Sequence, residues 1–148
     1  MVPLAKEKLE RARVVKMLGS VPLFTGLETK DLEEIAGIGR ELTFEPGKAM
    51  VKQGEPGIGF LLILDGKAEV RRNGKKVTTL APGDFFGEMS VIDDKPRSAD
   101  VVAIEPTKCF GVTAWSFAPM LRSNPSIAIG IIGELVRRLR KLEETMDG

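Results

Sequence analysis

The residues best suited to chemistry fall in one stretch, Gly83–Val101. An apolar pair, Phe85-Phe86, follows a Pro82-Gly83 turn. Gly87-Glu88-Met89-Ser90 then stands at the mouth of a very short helical run expected over 88–92. The stretch closes with Pro96-Arg97-Ser98-Ala99 and enters a β-like run, Asp100–Ile104. A glycine followed by a helix start lets bare backbone N–H groups converge on an anion. Arg97 offers a planar fork to a phosphate, and Ser98 adds a hydroxyl donor. Ala99 keeps the approach to that anion small. Glu88 is acceptor-only, which suits a sugar hydroxyl, and the helix dipole favours a carboxylate at the same place. Alone, Arg97 reads as a surface arginine pairing with Asp93 or Asp94. With Gly87, Glu88, Ser98 and Ala99 at these spacings it reads as part of a site for one phosphate and one sugar edge.

These residues need a scaffold, and the flanking sequence supplies one. Residues 4–18 read as a helix through Leu4, Leu9, Ala12, Val15 and Leu18, ended by Gly19-Ser20. Thr29 is the expected N-cap of a second helix, with Asp31 in its first turn and Leu32, Ile35 and Ala36 on its apolar side. From residue 41 the period changes. Turn signals recur at Pro46-Gly47, Gly54-Glu55-Pro56-Gly57, Asp65-Gly66, Asn73-Gly74 and Pro82-Gly83. That rhythm belongs to an all-β sandwich or barrel. Asp65-Gly66 and Asn73-Gly74 both suit type I′ hairpins. Phe60–Leu64 is apolar without alternation, so both its faces should be covered.

Helical period returns near Ala114. A short helix over Trp115–Leu121 is expected to stop before Ser123-Asn124-Pro125, where Ser123 or Asn124 can cap a last helix over 125–144. Ala128, Ile132, Leu135, Leu139 and Leu142 form an a/d seam on that helix. Arg137, Arg138, Arg140 and Lys141 lie opposite. The expected fold is mainly β with flanking helices. It is an antiparallel β-roll (a double-stranded β-helix or jelly roll) of about eight strands. One domain is expected over 1–148, with N-terminal helices at 1–40, the roll at 41–114 and C-terminal helices at 115–148.

Composition excludes several classes. Lys and Arg number 22 against 21 Asp and Glu, so a main role in binding a nucleic-acid backbone is disfavoured. The chain has no histidine, which removes Ser-His and Cys-His nucleophile pairs and many metal sites. Its one cysteine, Cys109, reads as a small buried apolar residue. Asp93-Asp94 reads as a solvated turn rather than a metal site. There is no Walker A and no Gly-x-Gly-x-x-Gly. Glu88 as a general base for phosphodiester hydrolysis is a weak reading without a metal, so no catalytic residue is assigned. Met1–Arg13 is charged throughout and no apolar run reaches membrane-spanning length, so a soluble cytoplasmic protein without a membrane partner is expected.

Phe86-Gly87-Glu88 followed by Pro96-Arg97-Ser98-Ala99 resembles the phosphate-binding cassette of cyclic nucleotide-binding domains. These are the regulatory modules of catabolite-activator-type regulators, cyclic-nucleotide-dependent kinases and cyclic-nucleotide-gated channels. Phe24-Thr25-Gly26-Leu27, Gln53-Gly54-Glu55 and Gly66 also have familiar counterparts there, and the order of elements is similar from about Val21 to Arg140. The resemblance implies that Arg97 and Ser98 take the cyclic phosphate and Glu88 the ribose 2′-hydroxyl. Phe86, Gly87, Met89, Ser90 and Ala99 complete the cassette. It implies an apolar wall for the base at Val70, Val77, Leu80 and Val101, and a lid from the last helix at Ile132, Arg137 and Arg138. The alternative for those arginines is a solvated face. Ser98 with Ala99 looks closer to cAMP-binding bacterial members, so cAMP is the expected ligand and cGMP the alternative.

The function implied is a sensor that signals to an unidentified effector protein through its last helix, without a cofactor. Family members that bind DNA continue into a helix-turn-helix domain, and Leu142–Gly148 is too short for one. The chain is therefore expected to be a stand-alone domain or the ligand-binding piece of a larger transcription regulator, channel or kinase regulatory subunit. The remaining alternative is a structural module that forms a homodimer through the seam, with a vestigial site.

Overall fold

The computed structural model describes residues 5–55, 59–88, 92 and 96–147, with side chains for 9–55, 59–88, 92 and 96–146. The chain divides into two compact units, one of Gly37–Ala118 and one assembled from both ends, Met1–Ala36 with Pro119–Gly148. Expectations for Leu4, Pro56-Gly57, Met89, Ser90, Asp93 and Asp94, and for most of the 88–92 helical run, lie outside the described residues.

The central unit is a β-roll. Its strands are β1 (Arg40–Phe44), β2 (Ala49–Val51), β3 (Gly59–Asp65), β4 (Ala68–Arg72), β5 (Lys75–Leu80), β6 (Phe85–Phe86), β7 (Asp100–Ala103) and β8 (Thr107–Thr113). They form two four-stranded antiparallel sheets, ordered β1-β8-β3-β6 and β2-β7-β4-β5. Most connections pass from one sheet to the other, which winds the chain into a double-stranded roll. Met50, Val51, Leu61, Ile63, Ala68, Val101, Ala103 and Cys109 form the buried cluster, drawn from both sheets, with Leu42, Phe44, Val70, Leu80 and Phe86 packed against it. Phe60 to Leu64 are all buried, so the unbroken apolar run is covered on both faces as its sequence implies. Burial pushes the Cys109 thiol up to about 12, so it is an unreactive packing residue.

The two Xaa-Gly turns separate. Asn73 (φ 53°) and Gly74 (φ 78°) both sit in the left-handed region and close the β4–β5 hairpin, as type I′ geometry requires. Asp65-Gly66 is not a hairpin turn, contrary to expectation. The strand β3 pairs with β6 and β8, while β4 pairs with β5 and β7, so this dipeptide carries the chain between sheets. Among the described residues Asn73 is the only non-glycine with positive φ, so Asp65 lacks the I′ conformation. Gly66 (φ 97°) is required for a different reason. A Cβ there would lie 2.6 Å from Thr107 Oγ1 and 2.7 Å from Thr107 Cα.

The other unit is helical. It contains α1 (Ala5–Leu18), a 3-10 turn at Pro22–Phe24, most of α2 (Thr29–Ile38), the end of α3 (Ala114–Ser123) and α4 (Pro125–Asp147). Thr29 is not the cap of α2; it is already helical. Glu28 holds the N-cap position. Its carbonyl accepts from Asp31 N and Leu32 N at 3.0 and 3.1 Å, and its own N–H donates to Asp31 Oδ2 at 3.2 Å. Asp31 thus plays the acidic half of a capping box that starts from Glu28; counted from Thr29, Leu32 takes that place and no such box is legible. Its other oxygen accepts the Ser126 hydroxyl at 2.9 Å.

Pro125 opens α4 as expected. Asn124 holds the cap position through its carbonyl, but its side chain turns back to Met120 O at 3.0 Å, and Ser123 turns back to Pro119 O at 3.1 Å. On α4 the buried stripe is Ile127, Ile131 and Glu134, and the expected a/d seam leaves Ile132, Leu139 and Leu142 exposed. The seam thus runs one residue out of phase with the stripe that this helix buries. Gly130 explains the phase: a Cβ there would come within 2.5 Å of Leu27 Cδ2, so this side of α4 meets the Gly26-Leu27 turn closely.

The two glycine turns give a contrast in stability. Gly66→Ala must accept both a left-handed backbone and a collision, so it should cost about 2–4 kcal/mol. Gly74→Ala meets nothing within 4 Å, so only the backbone term, about 1 kcal/mol, remains. Urea denaturation of both variants checks the order; equal losses would contradict it.

Candidate functional site

Arg97 is fixed by its own chain. Its backbone N–H donates to Glu55 O at 3.0 Å, and its carbonyl accepts from Gly54 N at 2.8 Å. Asp100 Oδ1 takes the Gln53 N–H at 2.6 Å. These bonds strap the Arg97–Asp100 segment to the Gln53-Gly54-Glu55 turn. The Arg97 side chain is only 8% exposed, and Nη2 donates to the Gly59 carbonyl. Gly87 stands over the same guanidinium. Its φ of 81° is left-handed, and a Cβ on it would strike the arginine and come 2.5 Å from Gly59 O. A buried guanidinium remains charged. The fold therefore holds a fixed cation beside a glycine whose backbone approaches it closely.

The remaining candidates fall into groups. Phe86, Val70, Leu80 and Val101 come together at the roll's interior cluster. Ala99 is buried, and Gly87 and Glu88 are half-buried. Ser98 is exposed, and its carbonyl accepts from Arg72 Nε at 3.3 Å. Val77 stands apart from the cluster and is 52% exposed. The β4–β5 register steps from Thr78 to Lys76, leaving Val77 as the extra residue of a bulge, which re-aims it. Among the described residues no cluster of three His, Cys, Asp or Glu side chains could hold a metal.

Sequence reasoning missed the positioning contacts. The Gly59 carbonyl carries no sequence signal at all. Gln53 and Asn73 exchange two bonds, Nε2 to Oδ1 at 3.0 Å and Asn73 N to Oε1 at 2.9 Å. With Arg72 bonded to Ser98, this ties the β4–β5 hairpin to the segment bearing Arg97. The Gln-Gly-Glu motif was visible; its partners across the roll were not.

On α4, Ile132 is 58% exposed. Arg137 and Arg138 are both engaged by Glu134: Arg137 Nη2 and Nε donate to its two oxygens at 2.7 and 3.0 Å, and Arg138 Nε donates at 3.4 Å. Thr25 Oγ1 donates to Glu134 Oε2 at 3.3 Å. The hydrogen bond from Arg137 holds the Glu134 carboxyl below the usual carboxylate range, helped by the charges of Arg137 and the bonds from Arg138 and Thr25. This acid was not among the sequence candidates.

Residues 41–124 match the model of the cyclic nucleotide-binding domain. The chain belongs to that family. A cyclic AMP receptor protein of Thermus thermophilus is 33% identical over 88% of this chain and 62% of its own length. A cAMP-dependent protein kinase regulatory subunit of Schizosaccharomyces pombe is 37% identical over 64% of this chain and 23% of its own. Among solved structures, the N-terminal domain of a transcriptional regulator from Streptomyces coelicolor superposes with a TM-score of 0.81 at 26% identity, covering 88% of this chain and 94% of that one. The chain thus spans less than two thirds of the curated relatives' length. The β-roll and flanking helices of this cyclic nucleotide-binding domain are those of its family. No helix among the described residues is long and apolar enough to cross a membrane.

The Glu134 network gives the domain a defined acid response. Its carboxyl is depressed in the folded chain, so the stability it contributes is present above the ordinary carboxylate range and is lost as pH falls through the lowered value. Stability of the Glu134→Gln variant should therefore fall less steeply with acid than that of the wild type. Parallel curves below neutral pH would remove Glu134 from the network.

Proposed function

We propose that this domain is a cAMP sensor, with Arg97 and Ser98 holding the cyclic phosphate and Glu88 the ribose 2′-hydroxyl. The observation that carries the reading is the Arg97 guanidinium, buried and oriented beside Gly87 at the edge of an apolar roll. A cyclic phosphodiester brings one negative charge and little hydrogen-bonding capacity elsewhere. It needs a planar cation, bare backbone and one hydroxyl at close range, and Phe86-Gly87 with Arg97-Ser98-Ala99 supplies them. Because the phosphate is anionic, Glu88 must face the sugar. Phe86, Val70, Leu80 and Val101 give the base an apolar surface, with Val77 contributing from the rim. Met89 and Ser90 complete the cassette by resemblance. The small Ser98-Ala99 pair favours adenine over guanine in this reading. The names of the relatives, a cyclic AMP receptor protein and a cAMP-dependent kinase regulatory subunit, support the same ligand.

The chemistry is binding rather than turnover. Ligand binding shifts a two-state equilibrium only if one state binds it better. The output in this proposal is α4, with Ile132, Arg137 and Arg138 as the lid. A cytoplasmic effector receives the signal, and the exposed Ile132, Leu139 and Leu142 are the surface proposed for a homodimer.

Competition binding tests the assignment. Arg97→Ala should lower cAMP affinity by about 100-fold or more, because each charge-assisted bond is worth about 1.5–3 kcal/mol. In the wild type, 2′-deoxy-cAMP should bind at least about tenfold more weakly than cAMP, and Glu88→Ala should abolish that difference. Equal affinity of the two nucleotides for the wild type would sink the role of Glu88, and displacement of cAMP by equimolar cGMP would overturn the base preference.

A further inference from the structure

The β-roll carries a cavity that shares no residue with the cassette. It has a volume of 240 Å³ and lies among the last residue of α2, strands β1, β3 and β8, and the start of α3. Leu42, Phe60 and Val112 supply apolar wall, and Arg40, Trp115 and Ser116 supply the remainder. The space depends on Gly111, which stands opposite Arg40 in the β1–β8 register. A Cβ on Gly111 would lie 3.0 Å from Leu61 Cδ2 and 3.1 Å from Leu42 Cδ1, so any larger residue would crowd two of the lining side chains.

Two features of the lining suit a ligand. The first is Arg40. Its side chain is exposed and makes no hydrogen bond or ion pair among the described residues, whereas Arg71 on β4 is paired with Glu69 at 2.9 Å and Lys108 on β8 with Glu41 at 3.5 Å. The neighbouring Glu41 is thus already committed. The second is Trp115, which leaves 71% of its surface in water although its indole is the largest apolar side chain in the unit. Thr113 Oγ1 and Ser116 Oγ lie 2.9 Å apart and put hydroxyls on the same lining.

We propose that this cavity is a binding site for a small free aromatic carboxylate. The guanidinium of Arg40 takes the carboxylate as a bidentate partner. The ring enters the apolar space against Leu42, Phe60 and Val112, with Trp115 covering its outer face. The volume is below the range of about 300–1,000 Å³ usual for drug-sized ligands, which suits a single-ring occupant. The site is independent of the cyclic-nucleotide reading, since Arg97, Gly87 and Glu88 do not line it.

Trp115 is the chain's only tryptophan, so the site has its own reporter. Phenylacetate is titrated into the full chain while Trp115 emission is followed, with neutral phenylacetamide as the isosteric control. The acid should produce a saturable change at concentrations at least about tenfold lower than the amide, the difference one charged hydrogen-bonded contact supplies. Arg40→Gln, a substitution of an exposed residue, should leave cAMP binding unchanged and bring acid and amide to the same half-point. A linear or absent response to phenylacetate at millimolar concentration overturns the proposal. So does an acid preference that survives in Arg40→Gln.

Discussion

The site rests on the burial of one cation. Taking a guanidinium out of water is costly unless polar groups meet it. Here the Gly59 carbonyl accepts from it, Gly87 yields the space it occupies, and backbone bonds to Gly54 and Glu55 hold the residue that bears it. These partners come from two separate parts of the roll, the connection from β2 into β3 and the residue after β6. The double-stranded winding brings them together, because the chain changes sheets between β2 and β3, and again between β6 and β7. A flat meander would leave the Gln53–Glu55 turn and the Arg97 segment far apart. In this fold the anion site is a consequence of topology as much as of residue type.

That arrangement also explains why the site can be ready without being rigid throughout. The strong constraints converge on Arg97 and Asp100, and a second strap runs through Arg72, Asn73 and Gln53. Ser98 and Glu88, the groups proposed to meet the phosphate and the ribose hydroxyl respectively, carry fewer bonds and more exposure. A receptor site benefits from this division, since a preoriented charge lowers the ordering cost of binding while the lighter groups adjust. On α4 the same economy appears in Glu134, which engages two arginines and Thr25 at once.

Much of this was legible in the sequence. The turn rhythm fixed the β-roll, because Gly and Asn at regular spacing report backbone conformations that few other residues adopt. Asn73-Gly74 folded as read. Asp65-Gly66 carries the same turn signal yet joins different sheets, since a local dipeptide does not say which strand its neighbour will pair with. The glycine there answers to Thr107, some forty positions away in the chain. The cap of α2 was displaced by one residue, because the apolar repeat marks a helix more securely than its end. Arg97 and Gly87 were recognisable by type and spacing. The Gly59 carbonyl, the Gln53–Asn73 exchange and Glu134 were not, because each acts through a partner that only tertiary folding brings near.

If the cation at Arg97 receives a cyclic nucleotide, isothermal titration of cAMP into the 148-residue chain will show it. Saturable heat is expected, with one nucleotide bound per chain and an affinity that weakens as salt screens the phosphate. The absence of saturable binding at millimolar cAMP, with the chain folded, would contradict it.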